Sequence, residues 1–313
     1  MTVDFEAIRE AAGRISTYVH RTPVLRSELI DARAGCDIWF KCENLQKVGA
    51  FKARGAHNAV LNLAEDERAR GVATHSSGNH AAALALAASR LDIPAYIVMP
   101  HNAPASKVAA VRDYGGEISF CDSTLAARET TLEEVCTRTG ARFVPPYDHP
   151  DIIAGQGTTA LEMYEQMDPP PHYLITPVGG GGLLAGCAVA SRALWPATAV
   201  VGAEPAGADD ALRSFHSGEW QPQLAPDTVA DGLRTSLGKL NFALIRENVD
   251  DILSVSDEAI LAAMRLVWTR MKLVIEPSAA VGLAVVLDNP ERFANNRVAI
   301  VLSGGNVDLD LSG

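Results

Sequence analysis

No stretch of this 313-residue chain is apolar for long enough to cross a bilayer: the longest apolar runs, such as 279–287, fall far short of a spanning helix, which needs ~20 residues. Cysteine is scarce as well. The five thiols, Cys36, Cys42, Cys121, Cys136 and Cys187, are odd in number and scattered, with no Cys-x-x-Cys pair. That pattern argues against a disulfide framework or a thiolate metal centre and for reduced core thiols. Blocks of like charge are missing too, since 38 acidic and 27 basic residues give a net charge of −11 spread along the chain. Without basic runs, nucleic acid and anionic membranes drop out as partners. Neither a Pro/Ser/Gly-rich linker nor a low-complexity tract interrupts the sequence, and the first residues carry acids where a secretory signal would have an apolar core. A cytoplasmic protein is the expectation.

What is present points to an ordinary globular enzyme. Nearly half the residues are apolar (48%), enough for a large core, and the length suggests about two domains. Short β-branched runs at 38–41, 72–75, 95–99, 117–120, 173–178, 199–204 and 298–302 alternate with helical apolar spacing at 81–91, 124–139, 257–273 and 278–287. The alternation predicts an α/β fold with parallel sheet and helices covering the sheet faces. No shift in composition marks where one domain would end.

Four segments carry chemistry. In Gly49-Ala50-Phe51-Lys52-Ala53-Arg54-Gly55, Lys52 stands beside apolar neighbours whose partial burial of the amine would keep it neutral part of the time, as a carbonyl-binding lysine requires. Ser76-Ser77-Gly78-Asn79-His80 follows a predicted strand, and its hydroxyls and amides suit a carboxylate, although taken alone it reads better as a helix cap. Gly179, Gly180, Gly181 and Gly182 run from the strand 173–178 into a helix beginning at Leu183, so unhindered amides converge with a helix N-terminus. An anion belongs there. The same segment satisfies a dinucleotide fingerprint, Gly180-x-Gly182-x-x-Ala185 with Glu204 ending the next strand, which leaves NAD open on this stretch alone. That reading gives no role to Lys52, to 76–80 or to Ser303, which opens Ser303-Gly304-Gly305-Asn306 after the last strand.

With these segments in this order, the sequence resembles the fold-type II (tryptophan synthase β-like) pyridoxal phosphate enzymes, specifically the serine/threonine dehydratase, serine racemase and 3-hydroxyaspartate dehydratase group. The resemblance covers nearly the whole chain. It implies two open twisted parallel-sheet domains with pyridoxal 5'-phosphate between them: a large domain of residues 1–68 and 142–313, and a small one of 69–141. It also implies a homodimer, a small amino-acid substrate and, because the chain ends soon after Asn306, no C-terminal regulatory domain.

By the same resemblance, Lys52 holds the cofactor aldehyde and later removes the substrate Cα proton. Phe51, Asn79, the four glycines, Leu183 and Ser303 surround the cofactor, with Asn79 at the ring oxygen and Ser303 at the pyridine nitrogen. Ser76, Ser77, Asn79 and His80 line the substrate site. Ser77 is Ala in dedicated threonine dehydratases but Ser in serine racemases and 3-hydroxyaspartate dehydratases, placed to exchange a proton opposite Lys52. Glu204, Asp210 and the Ala208 carbonyl match a magnesium or calcium site. A serine at the ring nitrogen cannot hold it protonated as an aspartate would, so the electron sink is weaker and β-elimination is favoured over transamination. The implied function is β-elimination from small β-hydroxy amino acids (serine, threonine or 3-hydroxyaspartate) to a 2-oxo acid and ammonia. A serine or aspartate racemase is the alternative, and an NAD-binding oxidoreductase a distant one. Ala50 and Arg234 look closer to hydroxyaspartate dehydratases, Arg234 serving either a second substrate carboxylate or only the surface.

Overall fold

The chain, a computed structural model, is described over residues 3–308; Met1, Thr2 and residues 309–313, including the chain end, lie outside the described residues. Its strands are β1 (Val24–Leu25), β2 (Asp37–Cys42), β3 (Val72–His75), β4 (Ala95–Pro100), β5 (Glu117–Cys121), β6 (Arg142–Phe143), β7 (Tyr173–Pro177), β8 (Ala199–Pro205), β9 (Asp251–Val255) and β10 (Arg297–Leu302). They form two sheets. One has six strands in the order β1-β2-β10-β7-β8-β9, and the other has four in the order β5-β4-β3-β6. Every pairing is parallel except that of β1 with β2. Because β6 pairs with β3, the four-stranded sheet runs through Phe143, past the expected boundary at 141.

Parallel strands covered on both faces read as continuous apolar runs, and Val298 to Leu302 of β10 are all buried. On one face of the larger sheet lies the helix Pro277–Asp288, with Ala279, Ala280, Val281, Leu283, Ala284, Val285 and Val286 in the core. The opposite face takes the helices Gly182–Leu194, Pro150–Gln166 and Phe5–Ile15. The smaller sheet is covered by the helix Asn79–Ser89 on one side and Leu125–Thr139 on the other. Among the described residues no helix is long and apolar enough to cross a membrane, and the cysteines are all unpaired, four of them buried.

The helix Lys52–Leu61 is fixed with unusual firmness. It crosses the helix Pro150–Gln166 at two glycines, so close that a Cβ on Gly155 would meet the Gly55 Cα at 2.6 Å. Next to Gly55, fully buried Arg54 pairs with Glu43 and Glu162 at 2.7 Å each, while buried Lys41 reaches Glu162 at 2.8 Å. Such a network adds little net stability, since desolvation offsets attraction, but losing one partner strands a buried charge. Its consequence is positional: the helix that begins with Lys52 has no freedom to shift.

Candidate active site

Lys52 opens its helix after a tight turn in which Val48 and Gly49 adopt left-handed backbone (φ 55° and 67°). A Cβ on Gly49 would meet the Asn306 side chain at 2.7 Å, so the position requires glycine. The same turn is joined to the segment after β10. Ala50 bridges Gly304, and the Phe51 amide donates to the Ser303 carbonyl at 3.0 Å. Lys52 and buried Ser303, 251 positions apart in the numbering, therefore sit side by side.

The Lys52 ammonium has one hydrogen-bond partner, the Pro146 carbonyl at 2.7 Å, and lies over the rings of Phe51 (5.1 Å) and Tyr147 (6.0 Å). Burial disfavours its charged form and lowers its pKa to about 8, against a smaller opposing pull from Glu276. At that pKa roughly a tenth of the amine is neutral at pH 7, far more than for a solvated lysine.

Across from it, the segment 179–182 leaves β7 and turns into the helix Gly182–Leu194 through Gly181, whose φ of 91° only glycine adopts freely. A Cβ on Gly180 would enter the Tyr147 ring, and one on Gly182 would meet the Tyr147 carbonyl at 3.0 Å. The Gly180 carbonyl is held by the Gly238 amide at 3.0 Å and Asn241 Nδ2 at 2.6 Å, which turns the loop's donors the other way. Among the described residues, the amides of Gly180 to Leu183 find no backbone acceptor. Unpartnered amides at a helix N-terminus suit an anion. Leu183 itself is buried in the core beneath them.

The turn 76–80 arrives from β3. Ser76 Oγ accepts from the Gly78 amide at 3.3 Å, whereas Ser77, half-buried, makes no side-chain hydrogen bond to the described residues. Asn79 opens the helix Asn79–Ser89, donating from Nδ2 to both Glu276 oxygens (3.0 and 3.3 Å) and accepting at Oδ1 from Asn306 Nδ2 (2.8 Å). His80 follows Asn79 in the first turn of that helix. It is buried with Nε2 on the Val144 carbonyl at 3.1 Å, and desolvation first, then the Lys52 charge, lowers its pKa to about 3. The imidazole is neutral, so any carboxylate here meets hydroxyls and amides.

Glu204 and Asp210 are both fully buried. Glu204 accepts from the amides of Ala211 (3.1 Å) and Leu212 (2.8 Å), and Asp210 Oδ2 accepts from Leu237 (2.7 Å), while Asp210 Oδ1 is buried without a partner. Burial pushes the Glu204 pKa well up and that of Asp210 to about 6. No cluster of three or more His, Cys, Asp or Glu suited to a metal occurs among the described residues, so a cation here would take two carboxylates and the carbonyl of buried Ala208. The dinucleotide reading finds no open ribose site here, because Glu204 is fully buried at the end of its strand. Exposed Arg234 donates to the Thr228 carbonyl at 2.9 Å, which favours the surface alternative for that residue.

Sequence reasoning missed three contributors. Pro146 and Tyr147 lie in a loop with no motif, yet they accept from Lys52 and cover Gly180; Glu276 is a buried acid that reads on paper as a residue before a helix-opening proline. Two surface hollows, of about 320 and 250 Å³, lie elsewhere, around Asn62, Arg142 and His149 and around Arg21, Leu161 and Glu165. Tyr147 packs over Gly180.

A parallel-sheet enzyme that presents a partly neutral lysine to an anion cradle is the class this geometry defines. The comparisons narrow it. A family model described as pyridoxal-phosphate dependent enzyme matches residues 15–304, and the chain belongs to that family. It is 48% identical over 303 residues to an L-threo-3-hydroxyaspartate ammonia-lyase of Saccharomyces cerevisiae, covering 96% of this chain and 93% of the relative. With a serine racemase of Oryza sativa subsp. indica it shares 47% over 311 residues, covering 98% and 91%. The crystal structure of serine racemase from Dictyostelium discoideum superposes with a TM-score of 0.94 at 45% identity, over 99% of this chain and 100% of that one. The cofactor is therefore pyridoxal phosphate, and the partly neutral Lys52 amine and the free amides of the glycine cradle suit its aldehyde and phosphate.

Proposed function

We propose that this enzyme eliminates the β-hydroxyl from small β-hydroxy amino acids, giving a 2-oxo acid and ammonia, with 3-hydroxyaspartate, serine and threonine as the substrate class. The observation that carries the reading is the Lys52 amine: lowered to about 8, held by the Pro146 carbonyl, and set beside Ser303. When bound, the cofactor supplies an electron sink for the substrate's Cα bonds.

The chain's own groups do the rest. The amides of 180–183 take the phosphate, Phe51 flanks Lys52, and the free Asn79 N–H and the Ser303 hydroxyl meet the ring oxygen and nitrogen. Ser76, Ser77 and the amides up to His80 take the substrate carboxylate. Lys52 is the base at Cα, and a neutral amine is required for that. The Cα proton and the β-hydroxyl leave together as one water, and readdition of one water releases ammonia, so the products balance as 2-oxo acid plus ammonia. Buried Glu204 and Asp210, with the Ala208 carbonyl, favour magnesium or calcium, since two uncompensated carboxylates and an unpartnered Asp210 oxygen suit a hard cation. The two sheets are read as a large and a small domain with the substrate between them, and two copies of the chain as the working assembly.

Racemisation of serine or aspartate is the second reading, supported by Ser77, whose half-buried hydroxyl has no hydrogen-bond partner among the described residues. One experiment separates the two. Wild type and Ser77→Ala are incubated with L-threo-3-hydroxyaspartate, L-serine, L-threonine and D-serine, and 2-oxo acid and enantiomer are scored in parallel. Elimination from L-substrates should survive in Ser77→Ala with a smaller loss, within the ~10²- to 10⁴-fold that a positioned acid or base contributes, while enantiomer exchange is suppressed. Absence of 2-oxo acid from every substrate would overturn the lyase reading.

A further inference from the structure

We propose that Glu276 is a positioning residue for this reaction: from the larger sheet's side it fixes which way round the Asn79 amide sits, and so aims one Asn79 N–H into the site. The inference rests on the role proposed above for Asn79. An asparagine amide is nearly symmetric in shape but opposite in chemistry at its two ends, so a partner that can only accept decides its orientation. An ionised Glu276 is such a partner, receiving Nδ2 at 3.0 and 3.3 Å. One Nδ2 hydrogen is shared between the two carboxylate oxygens, and the other is left over.

The oxygen end is settled independently. Asn306 Nδ2 spends both hydrogens, one on the Val48 carbonyl at 2.7 Å and one on Asn79 Oδ1 at 2.8 Å. Its backbone amide closes the ring by donating to Glu276 Oε2 at 3.2 Å. Three separate parts of the chain thus meet in one cycle: the turn after β3, the cap of the helix Pro277–Asp288 and the segment after β10. The carboxylate has no room to leave, because its own backbone amide is tied to the Gly304 carbonyl at 3.0 Å and a Cβ on Gly304 would meet Glu276 Oε1 at 2.7 Å.

The charges that face Glu276 come from Lys52, Lys107 and Asp231, the last two joined at 2.5 Å across the two sheet units. Burial raises its pKa to about 7, so near neutral pH the ionised and protonated forms coexist, and the protonated form, which could donate to Asn79 instead of accepting, grows as the pH falls. Replacing Glu276 by glutamine puts an NH₂ where Asn79 or Asn306 now donates, and at least one contact becomes donor against donor.

The test is a double-mutant cycle of Glu276→Gln and Asn79→Ala in the holoenzyme, read by the pH midpoint of the bound cofactor's absorbance and by kcat and KM separately. Alone, Glu276→Gln should shift that midpoint and lower kcat by about 10- to 100-fold with KM little changed, and Glu276→Asp should recover part of both. In the Asn79→Ala background the same change should add less than about twofold. An equal effect in both backgrounds, or no effect of Glu276→Gln while Asn79→Ala is impaired, would overturn the proposal alone. If Asn79→Ala itself leaves absorbance and kcat as in wild type, the role of Asn79 fails, and with it the inference. Should Glu276→Gln not fold, Asn306→Ala, which frees the other end of the same amide, enters the cycle in its place.

Discussion

Two buried acidic centres in this molecule have opposite fates. Around Arg54 every charge is paired: Glu43 and Glu162 flank the guanidinium, and Lys41 is held by Glu162, Gln166 and the Thr22 carbonyl at 2.8 Å each. Although burial pushes Glu162 up, hydrogen bonds and charge from Arg54 and Lys41 hold its pKa below the usual range. Around Glu204 and Asp210 there is burial and no buried cation, and both pKa values rise. The lysines divide in the same way, for Lys41 faces a carboxylate while Lys52 faces one carbonyl oxygen. A saturated charge needs nothing from outside the chain, whereas an unsaturated buried one is a candidate for chemistry supplied from outside it.

Breaking the saturated centre should have the largest effect. Arg54→Ala strands Glu43 and Glu162 in the interior and should lower the cofactor-free protein's stability by about 3–5 kcal/mol, read from urea unfolding. A loss below about 1 kcal/mol would mean that water already reaches the pair.

The lysine contrast is sharpened by pH. Burial lowers the Lys52 pKa, so its reactive neutral form predominates above about pH 8 rather than above the ordinary 10.5. Association of pyridoxal phosphate with cofactor-free enzyme should accelerate as the pH rises and level off with a midpoint near 8; a midpoint near that of a solvated lysine would remove the enclosure argument.

The unsaturated centre should answer to cations. Exhaustive chelation should lower the melting temperature, with magnesium or calcium restoring it, an effect of about 3 kcal/mol when the ion is present at a hundredfold its dissociation constant. The smallest effect carries the opposite sign: in chelator, Asp210→Asn should leave stability unchanged or raise it by up to about 1 kcal/mol, because it removes an uncompensated buried charge. It should abolish the response to added cation.

How much of this was legible in the sequence depends on what constrained each residue. Lys52, 179–182 and Ser303 were visible because carbonyl and phosphate chemistry restricts the residue types that can serve. Strands such as β3 and β10 were visible because burial on both faces leaves an apolar run. β1 and β6, two residues each, are too short to carry a period, and β9 is an edge strand with exposed Ser254 interrupting its apolar run. Glu276 left no signal, since one acid before Pro277 looks like any helix start; its meaning comes from Asn79 and Asn306, which only folding brings to it. The Gly55–Gly155 crossing is hidden for the same reason.

The central claim is that Lys52, and not its better-solvated or better-paired counterparts, bonds the cofactor. Borohydride reduction of the holoenzyme followed by peptide mapping tests it most directly. The account predicts a pyridoxyl group on the peptide carrying Lys52 and unlabelled Lys41, Lys47 and Lys107; a label confined to any other lysine would contradict it.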